Sequence, residues 1–211
     1  MQLDFGKNDK FYNLVTLHLH KRGKVWYTFP SSILTKGGLI SARQEEMHMI
    51  KTVGIAGLGL IGGSMAKAIH KYTDCTLLGY NRSGAVLSRA LDEGVLDGVL
   101  TEERLSECDL VIVALYPEAT VEYVTRHRDQ FRKGGIVMDC GGVKGVVCGP
   151  LQEVVRDAEF HFIGGHPMAG IERSGYANAF PELFQGASLI LTPYPGTPQA
   201  CLDDIWEMAR K

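Results

Sequence analysis

The 211-residue sequence predicts an α/β fold, a doubly wound, mostly parallel sheet with helices on both faces. Three observations carry this. From Lys51 onward, strand-length apolar runs alternate with helix-length amphipathic segments. The run Leu110-Val111-Ile112-Val113-Ala114-Leu115 shows no polar alternation, as a strand covered on both faces requires. Finally, Gly57-Leu58-Gly59-Leu60-Ile61-Gly62 stands directly between the first such strand and a helix.

The elements follow in order. Lys51–Ala56 is a strand whose buried part is Val53-Gly54-Ile55-Ala56. Ser64–Tyr72 is a helix with Met65, Ala68 and Ile69 on one face. Thr76–Tyr80 is a second strand, and Ala85–Glu93 a second helix that stops near Gly94. Leu110–Leu115 is the strongest strand, Ala119–Phe131 a helix, and Ile136–Asp139 another strand. Leu151–Asp157 is helical, and Phe160–Ile163 and Ser188–Leu191 are further strands. Strands alternating with helices imply right-handed crossovers. Thr197-Pro198 starts a last helix, with a hydroxyl N-cap and proline in the first turn. Cys201, Leu202, Ile205, Trp206 and Ala209 mark its apolar face, and no stop signal precedes Arg210-Lys211. Residues 197–211 therefore read as the start of a truncated helix, and residues 50–196 as one domain.

Residues 1–49 have a different texture. Leu14–His20 and Lys24–Phe29 have strand character, with Lys21-Arg22-Gly23 as the turn. His18 and His20 alternate, but no third ligand accompanies them, so no metal site is expected. Codons for Gln44-Glu45-Glu46 can spell a purine-rich ribosome-binding sequence before Met49. The segment reads as translated leader or as an extension outside the fold, with a small unrecognised domain as the competing reading.

Composition excludes several classes. With 45% hydrophobic and 22% charged residues and a net charge of −2, nothing argues for nucleic acid or an anionic membrane. Leu110–Leu115 is too short to span a bilayer. The N-terminus lacks a basic-then-apolar export pattern. The five cysteines are odd in number and form no CxxC pair, so reduced thiols in a cytoplasmic protein are expected.

The glycine run is chemically specific because of its setting. After a strand and before a helix, GxGxxG is the Rossmann-type dinucleotide fingerprint. Gly57 permits the tight turn, Gly59 lets backbone approach a pyrophosphate, and Gly62 lets helix and strand pack closely. The helix N-terminus supplies free N–H groups and a partial positive charge for phosphate, and Leu58, Leu60 and Ile61 join the glycines in the expected cofactor site. The residue reading the adenosine ribose ends the second strand, where NAD enzymes carry Asp or Glu. Here Asn81-Arg82-Ser83 stands instead. Loss of the acid, with an arginine beside it, favours NADP over NAD. The competing reading has Asn81 bonding the ribose of NAD and Arg82 solvated. Leu115, Tyr116 and Pro117 complete the expected cofactor site.

A second glycine-rich stretch runs His166-Pro167-Met168-Ala169-Gly170-Ile171-Glu172-Arg173-Ser174-Gly175. With Asp139-Cys140-Gly141-Gly142-Val143-Lys144, and with Leu183-Phe184 before Ile190-Leu191-Thr192-Pro193, it resembles the prephenate dehydrogenase family, which includes arogenate dehydrogenases. The resemblance covers Lys51 to Leu191. It implies that His166 takes a proton from the ring hydroxyl of prephenate while hydride leaves for the nicotinamide. Neutral imidazole, with a reference pKa of about 6.5, suits that role. It also implies that Gly142, Lys144, Glu172 and Ser174 belong to the substrate side. Many relatives carry serine at the position of Gly142. The family's helical C-terminal domain, which dimerises and supplies a substrate-binding arginine, has no counterpart in this sequence. A homodimer is thus expected only with that domain. Another NADP-dependent Rossmann reductase and a non-catalytic nucleotide-binding fragment stay open as alternatives.

Overall fold

The computed structural model describes residues 50–211 and, ahead of them, the backbone of two short strands. The strands are β1 (Val15–His18), β2 (Tyr27–Thr28), β3 (Thr52–Ala56), β4 (Thr76–Tyr80), β5 (Gly98–Val99), β6 (Leu110–Val113), β7 (Ile136–Asp139), β8 (His161–Pro167) and β9 (Ser188–Pro193). They form one sheet in the order β2-β1-β9-β8-β7-β6-β3-β4-β5. From β5 to β8 every pairing is parallel. The order turns back between β3 and β6, the point where doubly wound sheets open a ligand crevice at their C-terminal edge.

Beyond β8 the sheet reverses. β9 runs antiparallel to β8, because the connection from Met168 to Ala187 contains only short single-turn helices and no crossover. β1 is antiparallel to β9, with Val15 opposite Leu191, and β2 is antiparallel to β1. Two strands of the segment 1–49 thus extend the sheet. The remainder of that segment, including His20 and the Gln44–Met49 codon reading, lies outside the described residues.

Among the described residues five helices cover the sheet: α1 (Leu60–Tyr72), α2 (Gly84–Asp92), α3 (Pro117–Arg126), α4 (Lys144–Val155) and α5 (Gln199–Ala209). Alternate strand residues feed two cores. Val53, Ile55, Leu110, Ile112 and Met138 meet Ala66 and Ile69 of α1 and Cys201 and Ile205 of α5. Leu78, Val111, Val113 and Val137 meet Val124 of α3 and Val147, Cys148 and Leu151 of α4. Each fully buried aliphatic side chain here contributes about 1.5–3 kcal/mol. Among the described residues no helix is long and apolar enough to cross a membrane.

Three expectations need correction. α3 stops at Arg126 rather than reaching Phe131, since the chain turns after His127 to set the Phe131 ring edge-on to Phe160, with 4.9 Å between centroids. α4 starts at Lys144, well before Leu151, despite Gly145, Gly149 and an internal Pro150. Burial of Val147, Cys148 and Leu151 against the sheet overrides the poor helix propensity. The last helix begins at Gln199 without a side-chain cap, because the Thr197 hydroxyl donates back to Tyr194 O at 2.8 Å.

Candidate active site

Every sequence-predicted site residue up to Gly142 and His166 lies at the C-terminal edge of the parallel strands, or on the turns leaving it. The loop after β3 comes first. Gly57 has φ 98°, which an L side chain rarely adopts, and its N–H donates to Tyr80 O at 2.8 Å. A methyl group at Gly57 would stand 2.5 Å from Ala114 O, and one at Gly62 1.9 Å from Gly57 O. The protein's own backbone therefore demands both glycines. Gly59 differs, since a methyl group there would meet nothing within 4 Å. Its missing side chain leaves open the space above the first turn of α1. That turn has no side-chain cap and no acidic residue, so its N–H groups and the helix dipole face outward unpaired. These features fit a dinucleotide pyrophosphate.

The end of β4 adds a brace. Asn81 Oδ1 accepts the Leu58 N–H at 3.0 Å, and Asn81 Nδ2 donates to Ser83 O at 3.3 Å. Asn81 thus holds the glycine loop to β4. Arg82 and Ser83 are exposed, and Arg82 forms no ion pair among the described residues. Ser83 precedes α2 without a side-chain bond to it, and the first turn of α2 also lacks an acid. Across the crevice, Leu115 packs toward Gly57, Tyr116 is 87% exposed, and Pro117 opens α3.

The second half of the site is built from side chains. The parallel ladder between β7 and β8 ends at Met138 opposite Ile163. Beyond it, Asp139 and Lys144 bridge the two strands. Asp139 is fully buried and accepts the Gly165 N–H at 3.2 Å, the Gly141 N–H at 2.8 Å and the Lys144 ammonium at 2.5 Å. Lys144 Nζ donates as well to Gly165 O at 2.5 Å. Both backbone groups of Gly165 are thus tied down by one buried ion pair. A methyl group at Gly165 would stand 2.4 Å from Asp139 O, so the strands approach too closely for a side chain. Burial pushes the Asp139 carboxyl above its ordinary range, against the pull of its three donors.

His166 follows on β8 itself, so the expectation of a loop histidine is corrected to a strand-end histidine. Its imidazole is half-buried beside Gly142, where a methyl group would stand 3.1 Å from Nε2. The absence of a side chain at Gly142 leaves that nitrogen accessible from this side. Partial burial, and then the Lys144 ammonium, hold His166 below the ordinary histidine range, with Asp139 opposing. Glu172 and Ser174 are exposed on the following loop, and the structure gives neither side chain a bond to His166. Apolar Val143, Met168 and Ile171 are exposed on the same edge. Among the described residues no group of three metal-ligating side chains occurs.

The motif around Asp139 assigns that residue no role in the sequence. Its signal was present, an acid closing an otherwise apolar strand, Ile136-Val137-Met138-Asp139. An apolar cavity of about 640 Å³, lined by Met65, Ile69, Ile112, Met138, Phe184 and Trp206 between α1 and α5, includes neither His166 nor the glycine loop.

The family model described as "Prephenate dehydrogenase, nucleotide-binding domain" matches residues 65–211. Cyclohexadienyl dehydrogenase of Zymomonas mobilis is 35% identical over 170 residues, covering 76% of this chain and 56% of that protein. Prephenate dehydrogenase of Bacillus subtilis is 33% identical over 166 residues, covering 75% and 43% respectively. The crystal structure of prephenate dehydrogenase from Aquifex aeolicus, in complex with hydroxyphenyl propionate and NAD+, superposes with a TM-score of 0.67 at 26% identity. It covers 76% of this chain and 56% of that one. The chain thus spans about half the length of the curated relatives it matches.

Proposed function

The chain belongs to the prephenate dehydrogenase family through its nucleotide-binding domain, and from that membership we propose that it carries out the NAD(P)-dependent oxidative decarboxylation of prephenate to 4-hydroxyphenylpyruvate. One observation carries the reading. A half-buried histidine, kept neutral by burial and by Lys144, sits on the same sheet edge as a glycine loop suited to a dinucleotide.

In this reading the exposed N–H groups at the start of α1 bind the pyrophosphate, and Gly59 allows its approach. The bound nicotinamide supplies the hydride acceptor. Neutral His166 accepts the proton of the substrate's ring hydroxyl as that carbon loses hydride. Loss of carbon dioxide then aromatises the ring. Asp139 and Lys144 hold the backbone of Gly165, and so fix where His166 points. Glu172 and Ser174 line the approach to the ring.

NADP is the proposed preference over NAD. Asn81 replaces a carboxylate that would repel a 2′-phosphate and is itself committed to the glycine loop. Arg82, Ser83 and the uncapped, acid-free start of α2 offer donors to that phosphate.

The test is an absorbance assay of NAD(P)H formation with prephenate and with arogenate, on this chain and on the product expressed from its genomic locus. Turnover of prephenate supports the proposal. Turnover of arogenate alone would move the reading to that substrate, and turnover of neither would refute a dehydrogenase role in this reaction.

A further inference from the structure

The loop that carries Glu172 and Ser174 is fastened at its two ends. At its start the Met168 N–H donates to Ser188 O at 2.8 Å. Its middle is largely exposed, and among the described residues Ser174 is held only through its backbone oxygen, which accepts from Asn178 Nδ2 at 2.7 Å. At its far end Tyr176 is 3% exposed. The Tyr176 ring lies on α1, where a methyl group at Gly63 would stand 2.7 Å from its Cδ2. Its hydroxyl donates to Glu93, just past the end of α2, at 3.0 Å. Glu93 also accepts from Arg89 Nε at 2.7 Å and pairs with Lys67 of α1 at 3.4 Å. Lys67 Nζ stands 4.7 Å from the Tyr176 ring centroid, within cation–π range. Four residues later the Phe180 N–H donates to the buried Ser64 hydroxyl at 3.1 Å. Gly63 and Ser64 belong to the opening turns of α1, the turns proposed to receive the cofactor phosphates.

We infer that Tyr176 is a positioning residue: through its ring on Gly63 and its hydroxyl on Glu93, it fixes the loop Met168–Gly175 to the cofactor helix, so that filling the cofactor site orders the loop beside His166. The inference rests on the proposed dehydrogenase reading for the identity of the loop's substrate. The physical content is a short mechanical path. The loop has few bonds of its own, so its placement is set by its anchors. One anchor is the β8–β9 ladder, and the other is a helix whose first turn contacts a ligand.

Tyr176→Phe keeps the ring on Gly63 and deletes the hydroxyl. Glu93→Gln keeps the shape and weakens the acceptor. Amide hydrogen exchange of residues 168–175, with and without NADP, reads the anchor directly. Cofactor-dependent protection is expected in the wild-type chain and should vanish in both variants, with NADP affinity changed less than about twofold. The Glu93 side chain is 32% exposed, so the bond is partly screened. KM for prephenate should therefore rise roughly 5–20-fold with kcat little changed, and the double variant should match the singles. A merely structural role would instead lower Tm and weaken NADP binding together. Protection retained in Tyr176→Phe, or absent in the wild-type chain, would overturn the inference. A wild-type chain that gains protection yet leaves both prephenate and arogenate untouched would overturn the proposed function while upholding the anchor.

Discussion

The two halves of the proposed site on the sheet edge are built by opposite means. After β3 the working surface is made of what is missing: three glycines, an uncapped helix and no acid in the first turn. After β7 and on β8 it is made of buried charge, with Asp139 and Lys144 fastening the residue before His166. A dinucleotide phosphate needs only backbone donors and space, so side chains are obstacles there. A proton acceptor needs a defined direction and a tuned basicity, and only a fixed electrostatic surround supplies those. The first half should therefore answer to steric change and the second to chemical change.

The largest expected effect separates them cleanly. In a form of the protein that turns over substrate, His166→Asn should lower kcat by roughly 10²–10⁴-fold and leave cofactor affinity unchanged. Near-full activity by steady-state assay would remove His166 from the chemistry. Within the first half, Gly62→Ala should weaken NADP binding about 10²-fold and cost about 1–3 kcal/mol of stability, since its methyl group meets Gly57 O. Gly59→Ala should leave Tm unaltered and weaken only the cofactor, as titrated by fluorescence. Equal effects on Tm would show that Gly59 also serves the fold. Arg82→Ala should narrow the preference for NADP over NAD by roughly tenfold, as expected from a charge-assisted contact on an exposed surface. An unchanged ratio in the same titration would mean that Arg82 points elsewhere.

The smallest effect is a displacement of the pH profile. His166 is held below its ordinary value, so the neutral, proton-accepting form persists to lower pH. Activity should be lost as pH falls through that depressed value. The acid limb of kcat/KM is therefore expected below about 6.5. A limb above it would show that Asp139 outweighs burial and Lys144.

The same contrast explains what the sequence disclosed. Backbone devices leave local signatures. The glycine spacing from Gly57 to Gly62 was legible as a turn into a helix, and the apolar run Leu110–Val113 as a strand covered on both faces. Propensity misled where tertiary burial decides. Gly145, Gly149 and Pro150 concealed the first half of α4, and the glycines before His166 disguised a strand as a loop. The bridge from Asp139 to Gly165 spans 26 residues, and the bond from Tyr176 to Glu93 spans 83. Neither leaves a mark in neighbouring residues, because each exists only once the sheet has brought its parts together.

The pairing of β1 with β9 has a consequence for the order in which the molecule is made. Val15 lies opposite Leu191, so β1 leaves the ribosome long before its partner does. At about 5–20 residues per second, the interval is roughly 10–35 s. Two short strands cannot hold themselves together over that time. The six parallel strands, whose partners are all available earlier, have time to assemble first. β9 then closes on β8 and presents an edge on which the waiting strands can dock. In translation, β1 and β2 are thus placed only after strands that are made later than they are.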